Sequence, residues 1–491
     1  MKLSDLLAGQ DHHVLRGSPD RTDVTSGATF DADRVTPGSV FVAVPDHAAG
    51  GPEAVAPAVA RGAVAVLVDE QSVPLPPAVG DVCAVRVPDV RRAAAVVASR
   101  YHGEPGRAMD LIAITGTNGK TSVSYMTESV LRLAEGVRVG VIGTAGSRIG
   151  DEFIPMPPSV LTTPESPDLQ YLLGHMRDRE TGSVVLEATS MGLLTHRLER
   201  TFIDVGVFTN LTQDHLDDHG TMENYRNAKL RLFQGLCRRA VVNADDPVGA
   251  GIRKLMPDAV TTYALDGDAD YRASDLAVDA SGTRFTLHHD GRKYPAAIPS
   301  PGRFSVSNAL ATLAACHLLG HGLAGLVDAL ERMPQIPGRF ERLHTPEGAS
   351  VIVDYAHSPD SLSKVLTTIR GFARGRVITV FGCGGDRDTT KRVEMGEIAG
   401  THSDLCVLTS DNPRHEDPEA ILDQIAPGIA STGTPFERHT DRRLAIAAAL
   451  AAARPGDIVL IAGKGSEPHQ SVGGELLPFS DMATVRELIE T

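Results

Sequence analysis

Six consecutive residues, Gly116-Thr117-Asn118-Gly119-Lys120-Thr121, have the types and order that hold phosphate. Glycines let backbone N–H groups approach phosphate oxygens, Lys120 supplies a point charge, and the Thr121 hydroxyl, followed by Ser122, can ligate Mg²⁺. Residues 111–114 before the turn are an apolar run of strand character. After it, Val123, Met126, Val130 and Ala134 recur at helical spacing, so a helix N-terminus would add its partial positive charge. The common nucleotide loop reads G-x-x-x-x-G-K-[ST]. Counting back from Gly119 finds Ile114 at its first position, so this loop is the shorter G-T-N-G-K-T. Taken alone, it is equally a plain glycine turn.

More chemistry stands at the ends of other apolar runs. Glu187 closes one in VVLEATS, and residues 210–219, NLTQDHLDDH, follow another. A carboxylate and an imidazole, Glu187 and His215, at strand ends beside a phosphate cradle suit a divalent ion bridging nucleotide oxygens. His215 by itself would be an ordinary loop histidine. In ENYRNAKLRLFQGL, Tyr225, Lys229, Leu232, Phe233 and Leu236 share a helical stripe, which puts Lys229 on the face to be buried. Either its stem covers apolar surface while the ammonium reaches water, or the amine is desolvated or modified for function.

These residues need a scaffold of strands. The 491 residues suffice for about three domains at roughly 150 each, and 42% hydrophobic with 22% charged content is that of an ordinary globular core. A formal net charge of -15 argues against a nucleic-acid partner. The cysteines Cys83, Cys237, Cys316, Cys383 and Cys406 contain no CxxC pair, so neither a disulfide framework nor a structural zinc site is expected. No apolar run reaches the ~18 residues that span a bilayer, and residues 1–10 hold no long apolar stretch; a cytoplasmic protein without membrane insertion is expected.

The predicted fold class is α/β in three domains. Residues 1–106 read as a small α/β unit with strands at 39–44, 63–68 and 83–87, helices at 53–61 and 90–101, and the linker HGEPG. Residues 107–336 alternate strands (111–114, 138–142, 183–187, 204–210) with helices such as 168–179, the pattern of a parallel sheet covered on both faces. Period-two stretches with Asp-Gly and Ser-Gly turns between 263 and 301 predict hairpins on it, before a helix at 304–319. Residues 337–491 predict a Rossmann-like unit with strands at 350–354, 377–381, 405–410 and 458–462. Each of these ends in a loaded loop: DYAHSPDS, GCGGDRD, DNPRHEDP and GKGSEPH. Ligands of open parallel sheets sit at the carboxyl ends of strands, so this unit should also hold one.

TGTNGKTS, LEATS, TNLTQDHLDDHGTMENYRNAKLRLF, VNADDP, NALATLAA, PGRFE, DYAHSPDS, GCGGDRD, DNPR and AGKG, in this order, resemble the Mur ligase family over nearly the whole chain, most weakly in residues 1–106. The resemblance implies an ATP-dependent amide ligase of peptidoglycan precursor synthesis, working as a monomer on small molecules. ATP phosphorylates the terminal carboxylate of a UDP-linked muramoyl peptide, and the acceptor amine displaces phosphate from the acyl phosphate. Moving an anionic phosphoryl group to an anionic carboxylate needs cations, here Lys120 and two Mg²⁺ ions. By the family pattern, Gly116, Thr117, Asn118, Gly119, Lys120, Thr121 and Ser122 cradle ATP, Asn308 and Asp354 contact its adenine and ribose, and Arg339 lies near its phosphates. Thr121 holds one ion and Glu187 with His215 the second, positioned by a carbamate on Lys229. Phe30, His47, Thr162, Thr163, Thr189, Thr195 and Arg197 fall on donor-binding positions.

Arg387, Asp411, Asn412, Pro413, Arg414, Gly463 and Glu467 fall on acceptor-binding positions. Two guanidiniums can each grip a carboxylate bidentately, which suits diaminopimelate and has no use for lysine's single carboxylate. Glu467 would pair with the distal ammonium. Without these neighbours DNPR is an Asn-Pro turn.

The chain also departs from the family pattern. DSR is Asp31-Ala32-Asp33, the glycine of the next loop is Asp46, SSH is Thr189-Ser190-Met191, a common glutamine is Thr195, and KGHE is Lys464-Gly465-Ser466-Glu467. ATP and acceptor positions are nearly intact while donor positions are altered. One alternative is therefore a paralogue joining an amino acid to another carboxylate. A nucleotide-binding regulatory protein without turnover is another, against which stand the retained Lys120, Glu187, His215 and Lys229. Folylpolyglutamate synthase shares the ligase logic but not DNPR or the first domain.

Overall fold

The computed structural model describes residues 1–45, 47, 50–70, 79–156 and 161–490. Three sheets organise them. The first has five strands: Ala28–Thr29, Val40–Val42, Ala65–Val68 and Cys83–Arg86 run parallel, and His13–Arg16 closes one edge antiparallel. The expected helix at 53–61 is a 3₁₀ turn, Pro52–Ala54, leading into the short helix Val55–Ala60. The expected strand 39–44 pairs only over Val40–Val42.

The central sheet has eleven strands. Asp110–Thr115 lies in the middle, between Ser183–Glu187 and Ile203–Phe208, both parallel to it. Alternation along it decides the two cores. Ile112 and Ile114 face Val123, Met126 and Val130 of the helix Lys120–Glu135, along with the helices Arg303–Leu318 and Leu323–Glu331. Leu111 and Ala113 face Leu169, Leu172 and Met176 of the helix Ser166–Asp178. The hairpin strands Tyr271–Asp279, Gly282–His289 and Arg292–Ile298 extend one edge as expected. A second antiparallel extension, Gly146–Ile149 with Glu152–Phe153, caps the other edge and was not anticipated. The sheet is therefore mixed rather than parallel throughout.

The third sheet runs in the spatial order Glu341–His344, Ser350–Asp354, Ile458–Ala462, Val377–Phe381, Leu405–Leu408, Phe436–Arg438. Its inner strands are parallel and sandwiched between helices, with Ile352 in one core and Val351 and Val353 in the other. Among the described residues no helix is long and apolar enough to cross a membrane.

One buried ion pair ties this unit's loops to its frame. Arg442 opens the helix Arg442–Ala452, which Asp441 caps, and pairs with Asp481 through Nε at 2.7 Å and Nη2 at 2.8 Å. Both side chains are wholly buried. The same guanidinium donates to the carbonyls of Ser410 and Ala462, at the roots of the DNPR and AGKG loops. Replacing Arg442 by Met strands a buried carboxylate, a change that costs about 3–5 kcal/mol. Calorimetry should show the C-terminal unit melting about 10 °C lower, with part of the loss recovered when Asp481 is also made Leu.

Candidate active site

The turn after Asp110–Thr115 is built around two glycines. Gly116 has φ 148° and Gly119 φ 92°, and a Cβ on Gly119 would stand 2.6 Å from Asn308 Oδ1. The loop is pinned to the segment following the neighbouring strand Ile203–Phe208. Thr117 N donates to Asn210 O at 2.8 Å, Asn118 N to Asn210 Oδ1 at 3.0 Å, and Thr209 Oγ1 to Asn118 O at 2.6 Å. Thr117 and Asn118 thus spend their amides on the fold. The amides of Gly119, Lys120, Thr121 and Ser122 have no acceptor among the described residues, as the first turn of a helix leaves them. These four point to an anion site at the helix N-terminus.

Lys120 folds back on this turn, donating to the carbonyls of Gly116 and Thr117 at 2.9 Å each. Burial pulls its ammonium below the ordinary value, against the attraction of Glu187 and Asp214. Lys229 reaches the same Gly116 carbonyl at 2.8 Å and is 2% exposed. It does not snorkel. Its ammonium lies 4.3 Å from the centre of the Tyr225 ring, whose hydroxyl bonds Thr117 Oγ1. Burial, reinforced by the like charge of Lys120, pulls Lys229 well below its ordinary value. The helix carrying it, Met222–Leu230, ends earlier than the apolar stripe suggests, and a 3₁₀ turn, Arg231–Phe233, delivers Leu232 and Phe233 to the core.

Glu187 is 1% exposed. Its carboxylate accepts from Thr121 Oγ1 at 3.0 Å, Thr144 N at 3.0 Å and Thr144 Oγ1 at 3.1 Å. His215 sits in left-handed backbone (φ 54°) on an exposed loop, with Nδ1 3.4 Å from Asp218 and Nε2 3.8 Å from Asp214. The ring packs tilted on Tyr225. Thr121 and Glu187 therefore touch directly. His215 and Lys229 stand apart from them, in contact with other groups, although the charges of Lys120 and Lys229 act on His215. The described His and carboxylate groups close enough to share an ion are His215, Asp217 and Asp218, all exposed.

At the nucleotide side, Asn308 is 8% exposed and abuts Gly119. Asp354 ends its strand buried, accepting from Phe340 N at 2.7 Å and Ala356 N at 2.8 Å, and burial raises its carboxyl above the ordinary value. Arg339 lies over the Tyr355 ring at 4.1 Å. Asn118 Nδ2 crosses from the central unit to Asp360, at the start of the helix Pro359–Phe372, at 2.9 Å.

The carboxyl ends of the third sheet face the His215 loop across a cavity of about 190 Å³. Arg387, Asp411, Asn412, Arg414, Gly463 and Glu467 all line it, along with Asp214, His215 and Asp217. Asp411 Oδ2 is buried with no hydrogen-bond partner among the described residues. Burial raises that carboxyl, with Arg442 and Lys464 opposing. An oxygen in that state calls for a cation. Burial alone would raise Glu467 too, yet Lys464 and Asn412 hold it below the ordinary value. Lys464 Nζ, fully buried, reaches Glu467 Oε2 at 2.8 Å and Asn412 Oδ1 at 3.0 Å. Arg414 Nη1 donates to Gly385 O at 2.6 Å, and the Pro413 carbonyl lies against Gly385. Arg387 stands 3.6 Å from Asp217 of the central unit.

The positions expected to bind the donor, retained and altered, divide. Phe30 is buried, edge-on to His47 at 5.8 Å, with Arg91 over its ring. Thr163 Oγ1 donates to Glu187 O at 2.7 Å and meets Thr189 Oγ1 at 2.9 Å, while Thr162 meets Thr144 at 3.3 Å. Arg197 bonds Thr163 O and pairs with Glu165, to which Arg91 also reaches. Thr195 turns its hydroxyl back to Met191 O at 2.7 Å, a bond within its own turn. Asp33 points outward to Arg61, Ala32 is buried, and Arg34 makes a two-pronged pair with Asp168 of the central unit. Asp46 lies outside the described residues.

Three further residues belong to the site. Thr144 closes the Glu187 carboxylate, His357 lines the cavity, and Lys464 orients Glu467 and Asn412. His357 and Lys464 sit inside the loaded loops DYAHSPDS and GKGSEPH, so strand-end position was a signal for both. Thr144 follows a plain glycine-ended strand and carried none.

Residues 114–316 match the Mur ligase middle domain and residues 338–465 the domain described as Mur ligase, glutamate ligase domain. The chain is 39% identical over 489 residues to the UDP-N-acetylmuramoyl-L-alanyl-D-glutamate–2,6-diaminopimelate ligase of Caldanaerobacter subterraneus subsp. tengcongensis, covering 100% of this chain and 99% of that protein. With the protein of the same name from Streptomyces coelicolor it shares 41% over 482 residues, 96% of this chain and 94% of the other. A solved structure of a UDP-N-acetylmuramoyl-L-alanyl-D-glutamate–2,6-diaminopimelate ligase superimposes with a TM-score of 0.72 at 32% identity, covering 100% of this chain and 99% of that one. By these matches over its whole length, the chain belongs to the Mur ligase family.

Proposed function

We propose that this protein is an ATP-dependent ligase that joins diaminopimelate to the terminal carboxylate of UDP-N-acetylmuramoyl-L-alanyl-D-glutamate, a step of peptidoglycan precursor synthesis carried out in the cytoplasm by a monomer. The observation that carries the acceptor's identity is the cavity lined both by the carboxylates of Asp411 and Glu467 and by the guanidiniums of Arg387 and Arg414. An unpartnered buried carboxylate oxygen seeks an ammonium, and two guanidiniums seek two carboxylates. Diaminopimelate supplies both; lysine matches its two amines but lacks the second carboxylate. Residues 1–106 serve as the UDP-side domain, 107–336 as the ATP domain and 337–491 as the acceptor domain.

In this reading the free amides of residues 119–122 and the Lys120 ammonium take the ATP phosphates. Asn308, Arg339 and Asp354 border the nucleotide, while Thr162, Thr163, Thr189 and Arg197 carry the donor peptide to Glu187's side of the loop. Thr121 and Glu187, 3.0 Å apart, form a hard oxygen pair of the kind Mg²⁺ takes, with His215 on the adjoining loop. When bound, such ions supply charge neutralisation to the phosphoryl group in transfer. Only a neutral amine adds CO₂, and burial beside Lys120 shifts Lys229 toward that form. Its carbamate would add a carboxylate to the set. A protein that had lost turnover would have no need to hold a lysine there.

Purified protein given ATP, Mg²⁺, the UDP-muramoyl dipeptide and diaminopimelate should release phosphate and form the tripeptide. No phosphate release with any of the diamino acids would sink the reading. Lys229→Ala should lower the rate about 10²–10³-fold, the size of losing one preorganised electrostatic group, and short carboxylic acids should restore part of it; indifference to the change removes Lys229 from the mechanism. Arg414→Ala should cost about 10–100-fold in kcat/KM for diaminopimelate, the range of one charged hydrogen-bonding partner, while leaving whatever rate lysine supports unchanged. An equal loss for both would assign Arg414 to the loop's shape.

A further inference from the structure

An amine arrives as an ammonium and has no lone pair until a proton leaves it, yet no group assigned above takes that proton. Resting on the ligase reading, we propose that His357 is the base that deprotonates the acceptor amine. His357 lies between the strand Ser350–Asp354 and the helix Pro359–Phe372 and lines the same cavity as Asp411, Asn412 and Glu467. Its Nδ1 is 2.8 Å from the backbone carbonyl of Tyr355. A carbonyl oxygen can only accept, so Nδ1 carries the hydrogen and Nε2 keeps the lone pair. The main chain fixes the tautomer.

Nε2 makes no hydrogen bond to any described residue, and Asp214 Oδ2 of the central unit stands 4.0 Å from it. The other groups around the ring are Lys391, whose Nζ donates to the His357 carbonyl at 3.1 Å, Asp411, and the Tyr355 ring, edge-on at 4.7 Å. Burial holds the imidazole below its ordinary value, with Asp214 and Asp411 opposing and Lys391 adding. A resting neutral base with a carboxylate placed to receive its charge is the arrangement general-base catalysis uses. The competing groups have other work. Asp411 and Glu467 are assigned to the acceptor's ammonium, and His215 turns its nitrogens to Asp214 and Asp218.

One ammonium proton passes to His357 Nε2, and the freed lone pair forms the C–N bond at the acyl carbon. The C–O bond to the phosphoryl group then breaks with its electron pair leaving on phosphate, which also takes the second N–H proton as the intermediate collapses. The imidazolium returns its proton to water.

The test uses the full-length enzyme with ATP, Mg²⁺ and the UDP-muramoyl dipeptide, and compares two nucleophiles, diaminopimelate and hydroxylamine. Hydroxylamine is already neutral at pH 7 and needs no base, so the hydroxamate it forms reports acyl phosphate alone. With His357→Gln, amide formation should fall about 10²–10⁴-fold, the range of a positioned base, and hydroxamate formation should be unchanged. The residual amide rate should climb with pH as free amine accumulates. Unchanged amide formation, or amide and hydroxamate falling together, would overturn the proposal; the second result would place His357 in phosphorylation or in folding. A wild-type enzyme that forms no hydroxamate at all removes the ligase reading itself.

Discussion

Two lysine amines converge on one carbonyl oxygen, that of Gly116, and much of the site follows from what that arrangement permits. Two ammoniums so close in a buried setting cannot both keep their charge cheaply. Lys120 stands near Glu187 and Asp214, whose attraction offsets part of its desolvation. Lys229 is opposed by Lys120 itself and gives way first. The pair is therefore uneven: Lys120 keeps carboxylates that favour its charge, and Lys229 has the like charge of Lys120 against it. Geometry sets them apart: Lys120 opens the helix that carries the free amides, whereas Lys229 comes in from a separate helix that also buries Tyr225, ahead of the 3₁₀ turn with Leu232 and Phe233.

Strand order does the rest of the positioning. Because Asp110–Thr115 lies between Ser183–Glu187 and Ile203–Phe208, with Glu187 beside Ile114 and Phe208 beside Thr115, the phosphate turn, the carboxylate and the Asn210 loop emerge from adjacent strands at one edge. The third sheet repeats the device. Ser350–Asp354, Ile458–Ala462, Val377–Phe381 and Leu405–Leu408 are neighbours, and their loops supply His357, Glu467, Arg387 and Asp411 to one cavity.

Much of this was legible in the residues. Apolar runs of four to six residues located most inner strands of the two large sheets, since a strand buried on both faces has little freedom in composition, though Cys237–Asn243 and Val260–Ala264 went unnamed. The stripe put Lys229 on the face to be buried but left open whether its ammonium reached water, which the structure answers by burying it. Ends and edges were less legible. Gly146–Ile149 and Glu152–Phe153 carry polar residues on an exposed edge, and nothing in their composition separates them from loop. Thr144 matters through a partner that pairing in space alone supplies. The donor wall stays least readable: Thr195 keeps its hydroxyl for its own turn, and Arg34, next to the altered Asp33, is committed to Asp168.

The same sequence also sets where the molecule is stiff and where it is soft. Within the third unit, Arg442 and Asp481 are wholly buried and tie two site loops to two strand roots, so those loops cannot move without breaking a desolvated pair. Between units the links are of another kind. Arg387 with Asp217, at 3.6 Å, joins side chains 49% and 27% exposed, and Asn118 with Asp360 shares its carboxylate with the exposed Lys364. Contacts of that sort contribute about 0–1 kcal/mol each. A cleft that must admit nucleotide and two substrates and then exclude water from an acyl phosphate needs this contrast. Stiff loops keep the carboxylates and guanidiniums in register, and weak bridges let the walls that carry them part. Arg387 belongs to both classes, since the guanidinium that bridges the units is also the one that an acceptor carboxylate would claim, and occupation of the cavity then trades a marginal contact between units for a bidentate one within the site.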